Sequence, residues 1–310
     1  MKTELPFFNS LIALVNHFNC QKKCVEFLIE QRWNGKAVCP YCGGTHCYRR
    51  SDGRFICKDC GDNFSVLVGT IFENTKVPLT KWFMAMYLIS SHKKGISSLQ
   101  LSRDISVTQK TAWFMLQKIR SLYSQNTDEL HGQVECDETY VGGKETNKHE
   151  SKKVQGTQGR STKTKEGVFG MVERNTGKVV AMRIPDSKSA TLIGIINDFV
   201  KEGSRIYTDE YIGYHSLMDS ECYAHSSVNH KNKEFVDGES HTNTIEGFWS
   251  QLKRMIMGVY HFVSAKYLQR YVDEAVFRYN TCAYEEGERF QRMFAQSVGK
   301  VKYVDVRTIR

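Results

Sequence analysis

Apolar residues change their spacing several times along the chain, and each change marks a different kind of element. Leu11 to Phe18 is a short greasy run broken by Asn16 and His17, the pattern of a small amphipathic helix and far too short to span a bilayer. Residues 35 to 68 are rich in glycine and cysteine, with Tyr48, Arg50, Phe55 and Phe64 spread through short strand-like pieces. After Pro78 the period becomes helical, through Trp82, Met86 and Ile89, then beyond Gly95 through Leu99, Leu101, Ile105, Ala112, Phe114 or Met115, and Ile119. Several short helices are expected there.

From His131 the texture turns again. Val134, Cys136 and the Tyr140-Val141 pair mark a strand ended by Gly142-Gly143. Val168 to Glu173 and Lys178 to Ile184 flank Asn175-Thr176-Gly177, a turn in which Asn and Gly accept positive φ, so a hairpin is expected. Ala190 to Val200 has helical periodicity and Gly203 for a stop; Arg205-Ile206-Tyr207-Thr208 then reads as a short buried strand reaching Asp209. The remainder reads as mainly helical. Strand, strand, strand, helix, strand, helices is the order of an α/β domain with a mixed sheet, without internal repeat or long linker. These changes divide the chain into a helix and cysteine module over 1–75, a helical region over 76–128, and an α/β core with C-terminal helices over 129–310.

Composition narrows the class. At 310 residues, with 40% hydrophobic and 25% charged, the chain is an ordinary folded protein of two or three units rather than a disordered, fibrous or membrane-embedded one. The 43 Lys and Arg against 34 acids leave a formal charge of +9, which favours polyanionic partners. Much of the surplus lies in residues 144–165, where Lys144, Lys148, Lys152, Lys153, Arg160, Lys163 and Lys165 face only Glu145 and Glu150. That segment reads as a basic, mobile loop suited to clamping DNA by counterion release. No cleavable signal pattern follows the first greasy run, and the ten cysteines are spaced for metal rather than for a disulfide lattice, so the cytoplasm is expected and no membrane.

Cys39 and Cys42, fourteen residues, then Cys57 and Cys60 form two CxxC knuckles. Two knuckles supply the four thiolates that a tetrahedral zinc ion takes, and a closed four-sulfur site has no open position for chemistry, so this metal is structural. Gly43, Gly44 and Gly61 let the backbone turn its amides toward sulfur. Arg49, Arg50, Arg54 and Lys58 surround the knuckles as phosphate contacts or solvated charge. Cys20, Cys24, Cys136, Cys222 and Cys282 read as ordinary core or surface residues.

Residues 95 to 113 read as a helix, a short turn and a second helix opened by a Ser or Thr cap, and so resemble helix-turn-helix proteins. The second helix offers Thr108, Gln109, Lys110 and Thr111 at its start to base edges or phosphates, with Lys118 and Arg120 extending the basic face.

Three acids stand out in the core. Strand alternation puts Asp137 on one face and Cys136 and Glu138 on the other, while Asp209 ends a second strand. Glu246 lies in a cleanly amphipathic helix whose buried stripe is Ile245, Phe248, Trp249, Leu252 and Ile256. Asn243, Glu246, Ser250 and Lys253 form its polar stripe, which sets a carboxylate and a cation two turns apart on one side. Acids converging from two strands and a helix suit a pair of Mg²⁺ ions about 3.5–4 Å apart in phosphodiester chemistry, with lysine as a phosphate contact.

The knuckles CPYCGG and CKDCG with FSVLVGTIFENTKVPLTKWF behind them, then ECDETYVGGKE, IYTDEYIGY and HTNTIEGFWSQLKR, occur here in that order. In these four blocks the chain resembles, over nearly its whole length, bacterial insertion-sequence transposases of the ISXO type, which carry a zinc ribbon ahead of an Asp-Asp-Glu, RNase H-like core. The resemblance implies that Asp137, Asp209 and Glu246 bind Mg²⁺ or Mn²⁺ and that Lys253 contacts DNA. It implies nicking at element ends followed by attack of the freed 3′-hydroxyl on target DNA. Asn243, one turn from Glu246, is an alternative third ligand, and His241 is a candidate for orienting water or phosphate. The need to hold two ends of double-stranded DNA implies a homo-oligomer on DNA. A DNA-binding regulator that has lost catalysis, and a nuclease that cuts without joining, share parts of the pattern; the intact acids argue against the first and the helix-turn-helix against the second.

Overall fold

The chain divides into two units, one of residues 1–123 with 283–310 and one of residues 124–282. The computed structural model describes residues 6–123, 129–142, 149–154, 164–228 and 241–297. In the first unit Ser10 caps α1 (Leu11–His17) by accepting from the Ala13 amide at 3.1 Å. The next helix, α2 (Gln21–Trp33), ends where Asn34 turns left-handed at φ 50°. Three short antiparallel strands follow, β1 (Cys47–Arg49), β2 (Phe55–Cys57) and β3 (Asn63–Phe64), in that spatial order. Trp33 packs edge-on against Phe55 and Phe64 and so ties this small sheet to α2. Three helices then succeed one another, α3 (Leu79–Ser91), α4 (Ser98–Asp104) and α5 (Gln109–Arg120).

The second unit is built on β4 (Gln133–Val141), β5 (Glu166–Glu173), β6 (Val179–Ile184), α6 (Ser189–Phe199), β7 (Arg205–Asp209), β8 (Ala224–Val228), α7 (Asn243–Met255) and α8 (Leu268–Asn280). Its sheet has the order β6-β5-β4-β7-β8, with β4, β5 and β6 mutually antiparallel and β7 and β8 joined to β4 in parallel. A hairpin turn suffices between β5 and β6, with Gly177 at φ 71°, whereas the parallel entry of β7 requires a crossover, which α6 supplies. Alternation divides the sheet's side chains between two cores. Val168, Val172, Val179 and Ala181 meet Ile245, Phe248, Trp249 and Leu252 of α7 and Val272 of α8. Val134, Cys136, Phe169, Met171 and Ile206 meet Leu192 and Ile196 of α6 on the other side. The fold is thus the mixed α/β, RNase H-like arrangement that the resemblance implies, preceded by a four-cysteine ribbon.

β8 was not expected from the sequence. Ala224-His225-Ser226-Ser227-Val228 carries little apolar signal, because an edge strand needs few buried side chains; it is held by pairing with β7 and by a 2.9 Å contact between His225 Nε2 and the Thr208 hydroxyl. The last described helix, α9 (Glu286–Ala295), belongs to the first unit, where Phe290 and Phe294 join Phe8, Phe18, Phe27 and Phe83 in one aromatic cluster. Gly287 is needed there, since a side chain would collide with Phe7 and with the Phe8 carbonyl. Among the described residues no helix is long and apolar enough to cross a membrane.

Candidate active site and metal centre

The four knuckle cysteines meet. Cys39 Sγ lies 3.7 Å from Cys60 Sγ and Cys42 Sγ 3.6 Å from Cys57 Sγ, and all four sulfurs fall within 4.8 Å of one another. A tetrahedron of sulfurs about 2.3 Å from a zinc ion has edges of about 3.8 Å, so the sulfurs fit that ion. The backbone makes both turns alike: Gly43 N–H bonds the Cys39 carbonyl and Gly61 N–H the Cys57 carbonyl, each at 2.9 Å, with both glycines at positive φ. Amides of Cys60 and Asp59 directed at the Cys57 sulfur hold its pKa down to about 7. Cys47 lies outside the cluster, donates to the Gly44 carbonyl, and is pushed up to about 11 by burial. His46 pairs with Asp59 at 3.0 Å. Of the surrounding cations, Arg49 pairs with Glu26, Arg50 bonds Asn63, and Lys58 lies 4.4 Å from the Tyr48 ring centre.

In the region read as helix-turn-helix, two capped helices flank a tight turn. Ser97 caps α4 through the Gln100 amide at 3.1 Å, and Thr108 caps α5 through the Thr111 amide at 3.2 Å, with Ser106 at φ 51° in the turn between. Gln109 and Lys110 are exposed, while the Thr111 hydroxyl bonds the Thr108 hydroxyl at 2.9 Å. Lys118 and Arg120 do not extend a basic face: both are buried, and Lys118 Nζ donates to the Ile71 carbonyl at 2.8 Å. The end of α5 is buried all round, from Met115 to Arg120, so the side that periodicity marks as solvent-facing is covered as well and these long cations lie in the interior.

In the second unit β4 and β7 run parallel with Glu135 opposite Tyr207, and Asp137 and Asp209 each stand two residues further on. Both acids therefore project from neighbouring strands on the side that faces α7. The Asp137 carboxylate accepts from Trp249 Nε1 of α7 at 2.9 Å. Trp249 reaches it because Asp137 pairs across β5 with Gly170, where a Cβ would stand 2.5 Å from the indole. Burial, then the charges of Glu138 and Asp209, raise Asp137 to about 7. A carboxylate so placed gains from a nearby cation. Asp209 accepts from the Tyr211 amide at 3.1 Å.

Ile245, Phe248, Trp249, Leu252 and Ile256 are all buried, and Asn243, Glu246, Ser250 and Lys253 are all exposed along a separate stripe of α7 that flanks Trp249. Among the described residues the oxygens of Asp137, Asp209 and Glu246 do not close into a group as tight as the cysteine cluster. The basic segment 144–165 lies largely outside the described residues; within it Lys153 pairs with Glu150.

Glu135 was not singled out by the sequence, although it shares a face with Asp137. Wholly buried, it accepts from the Thr244 and Ile245 amides at 2.9 and 3.0 Å, from the Thr244 hydroxyl at 2.9 Å and from Arg174 Nε at 2.7 Å. His241 Nδ1 stands 3.1 Å from it, and Arg174 also donates to the His241 carbonyl. Thr242, the N-cap residue of α7, makes no side-chain cap, so a strand carboxylate takes that place at the positive end of the helix that carries Glu246. The signal available in the sequence was an acid two residues before Asp137 in a β-prone run.

Comparison with known proteins agrees with this layout. Residues 129–280 match the ISXO2-like transposase domain and residues 20–63 the transposase zinc-ribbon domain. The chain belongs to the ISXO2-like transposase family. It is 32% identical over 103 residues to an uncharacterised transposase-like protein of Haemophilus influenzae, covering 33% of this chain and 81% of that one. It is also 29% identical over 252 residues to an uncharacterised protein in transposable element ISH50 of Halobacterium salinarum, covering 78% of this chain and 85% of that one. A solved simian T-cell lymphotropic virus intasome, in complex with PP2A regulatory subunit B56 gamma, matches 57% of this transposase-family chain and 63% of its own at 12% identity and a TM-score of 0.29, too distant to bear on the fold.

Proposed function

We propose that this protein is the DNA transposase of an insertion sequence, cleaving phosphodiester bonds at the element ends and joining the 3′-hydroxyl to target DNA. The observation that carries the reading is the register that sets Asp137 and Asp209 side by side on parallel strands, on the sheet face that packs against the helix bearing Glu246 and Lys253. Asp137, Asp209 and Glu246 would hold Mg²⁺ or Mn²⁺, which when bound activates the attacking oxygen and stabilises the leaving one. Asn243 precedes Glu246 by one turn on the same stripe and is the alternative third ligand. Trp249 orients the Asp137 carboxylate, and Glu135, with Arg174 and His241 around it, fixes the start of α7 and so the height of Glu246 above the sheet. Lys253 contacts a phosphate along the same stripe. The ribbon, holding a structural zinc, and the exposed start of α5 with Gln109, Lys110 and Thr111 bind the element ends, and a homo-oligomer holds two of them together.

A strand-transfer assay with Mg²⁺, comparing the parent with Asp137→Asn and Asp209→Asn, tests this. Loss of joining in both variants with an unchanged fold is expected; equal activity in all three would sink the catalytic assignment. A protein that cuts but never joins would instead be a nuclease.

A further inference from the structure

Beyond α7 the chain does something unusual for a helix end. Residues Ile256–Tyr260 widen into a π-helical turn, and His261 then adopts φ 59° and ψ −44°. The Phe262 amide bonds the Tyr260 carbonyl at 2.6 Å across it, closing a three-residue γ-turn of the rare, strained hand. A non-glycine residue held there needs surroundings that enforce it, and such strain, like π-helical turns, gathers at functional sites.

The surroundings do enforce it. Ile256 is buried in the core under α7, and Val263 packs against the same core. Tyr260 meets the Tyr271 ring edge-on at 4.7 Å and donates its hydroxyl to Glu274 Oε1 at 2.8 Å, while Glu274 is itself clamped by Arg278. The His261 imidazole folds back to 3.1 Å from the Met257 carbonyl. On this mount two large apolar side chains point outward: Phe262 is 74% exposed and Met257 69%. Neither exposure is needed to close the core, because the anchors on either side do that.

Charge decides what the pair meets. Lys253 and Arg254 precede it and Lys266 follows, all exposed, and no acid occurs between Glu246 and Asp273. Two copies of so cationic a patch repel each other, whereas a polyanion is drawn to it. Apolar side chains that stand out from a cationic surface unstack base steps and bend the duplex, with the cations holding the flanking phosphates.

We propose that residues 256–262 form a rigid wedge that inserts Phe262, supported by Met257, between bases of the DNA lying along α7, unstacking a step beside the cleavage centre. The inference rests on the transposase reading and adds to it a DNA-distorting element. Unstacking next to the acids would free the scissile phosphate from regular duplex geometry.

The test uses the full-length protein, a mixed-sequence duplex of roughly 30 bp carrying 2-aminopurine at several A·T positions, and a second such duplex with a fluorophore pair at its ends. Parent protein should raise 2-aminopurine fluorescence and shorten the end-to-end distance. Phe262→Ala should lose both effects while binding within about tenfold of the parent, since stacking gained and unstacking cost largely offset one another. Phe262→Trp should restore both. Melting curves of the variants should superpose on the parent's, as the side chain stands in solvent. Undiminished fluorescence and bending in Phe262→Ala would overturn the wedge and leave the transposase reading intact. So would a shift from oligomer to monomer in light scattering with the DNA signals unchanged, which would mark this face as a contact between copies. Failure of the parent to bind duplex DNA at all would overturn both.

Discussion

The two candidate metal centres are built on opposite plans. The cysteine cluster comes from two knuckles within 22 residues of chain, each closed by its own backbone hydrogen bonds, and its sulfurs already stand near the corners of a zinc-sized tetrahedron. The proposed carboxylates come from positions 137, 209 and 246, two on paired parallel strands and the third on the helix that packs against the same sheet, and among the described residues their oxygens form no group as tight as the sulfurs. A local site is specified by spacing and turn chemistry, and its metal does part of the folding. A site assembled over a hundred residues depends on everything that sets the sheet register and the helix position. Its acids can sit close only at an electrostatic cost, visible in Asp137, which burial and its acidic neighbours raise to about 7.

The contrast can be broken most sharply at the ribbon. Replacing Cys39 and Cys57 by serine should abolish stoichiometric zinc in metal analysis and unfold the ribbon, because structural zinc in small sites supplies on the order of 10 kcal/mol. If the two plans are independent, the far-UV spectrum of the second unit should survive. A ribbon that stays folded and metal-free would show that the knuckles are not held by metal.

At the other centre Asp137→Asn should cut strand transfer by at least about a thousandfold, roughly 4 kcal/mol of barrier, while leaving the fold in place. The variant also carries a sign. Asp137 has its folded pKa raised above the unfolded value, so its contribution favours the native state at low pH and is lost as pH rises through about 7. Metal-free parent should therefore melt lower at pH 8 than at pH 6 relative to Asp137→Asn, and Mg²⁺ should close the gap at pH 8. An identical pH slope in the two proteins would remove the electrostatic part of the comparison.

Glu135→Ala takes the carboxylate acceptor from Arg174 Nε and from two amides at the start of α7, and breaking a buried pair of this kind costs about 3–5 kcal/mol. Calorimetry should show that loss, and strand transfer should fall with it. Full stability would mean that α7 is placed by its apolar stripe alone. The smallest effect belongs to a local feature: Thr108→Ala removes the cap of α5 and should cost about 1 kcal/mol, with DNA affinity little changed. Lys110→Ala should instead weaken DNA binding and lower its salt slope by about one unit; an unchanged slope would detach α5 from DNA.

What is legible in the sequence follows the same division. Features that depend on neighbours in sequence were legible: the CxxC knuckles, the Asn175–Gly177 hairpin turn, the cap of α5, the buried stripe of α7 from Ile245 to Ile256, and the face on which Asp137 sits. Periodicity and turn chemistry are short-range signals, and these elements need nothing else. Features that depend on a distant partner were not. Lys118 and Arg120 looked like surface cations until burial put Lys118 against the Ile71 carbonyl. β8 has too few apolar side chains to announce a strand and exists because β7 offers it an open edge. Glu135 read as one more acid in a strand until Thr244 and Ile245, more than a hundred residues later, turned their amides to it. The sequence by itself determined the local elements and the four sulfurs of the ribbon. Only the tertiary structure decided which charges are buried, how the start of α7 is held, and that Asp137 and Asp209 stand on neighbouring strands, because those outcomes are set by desolvation and by partners that no local pattern contains.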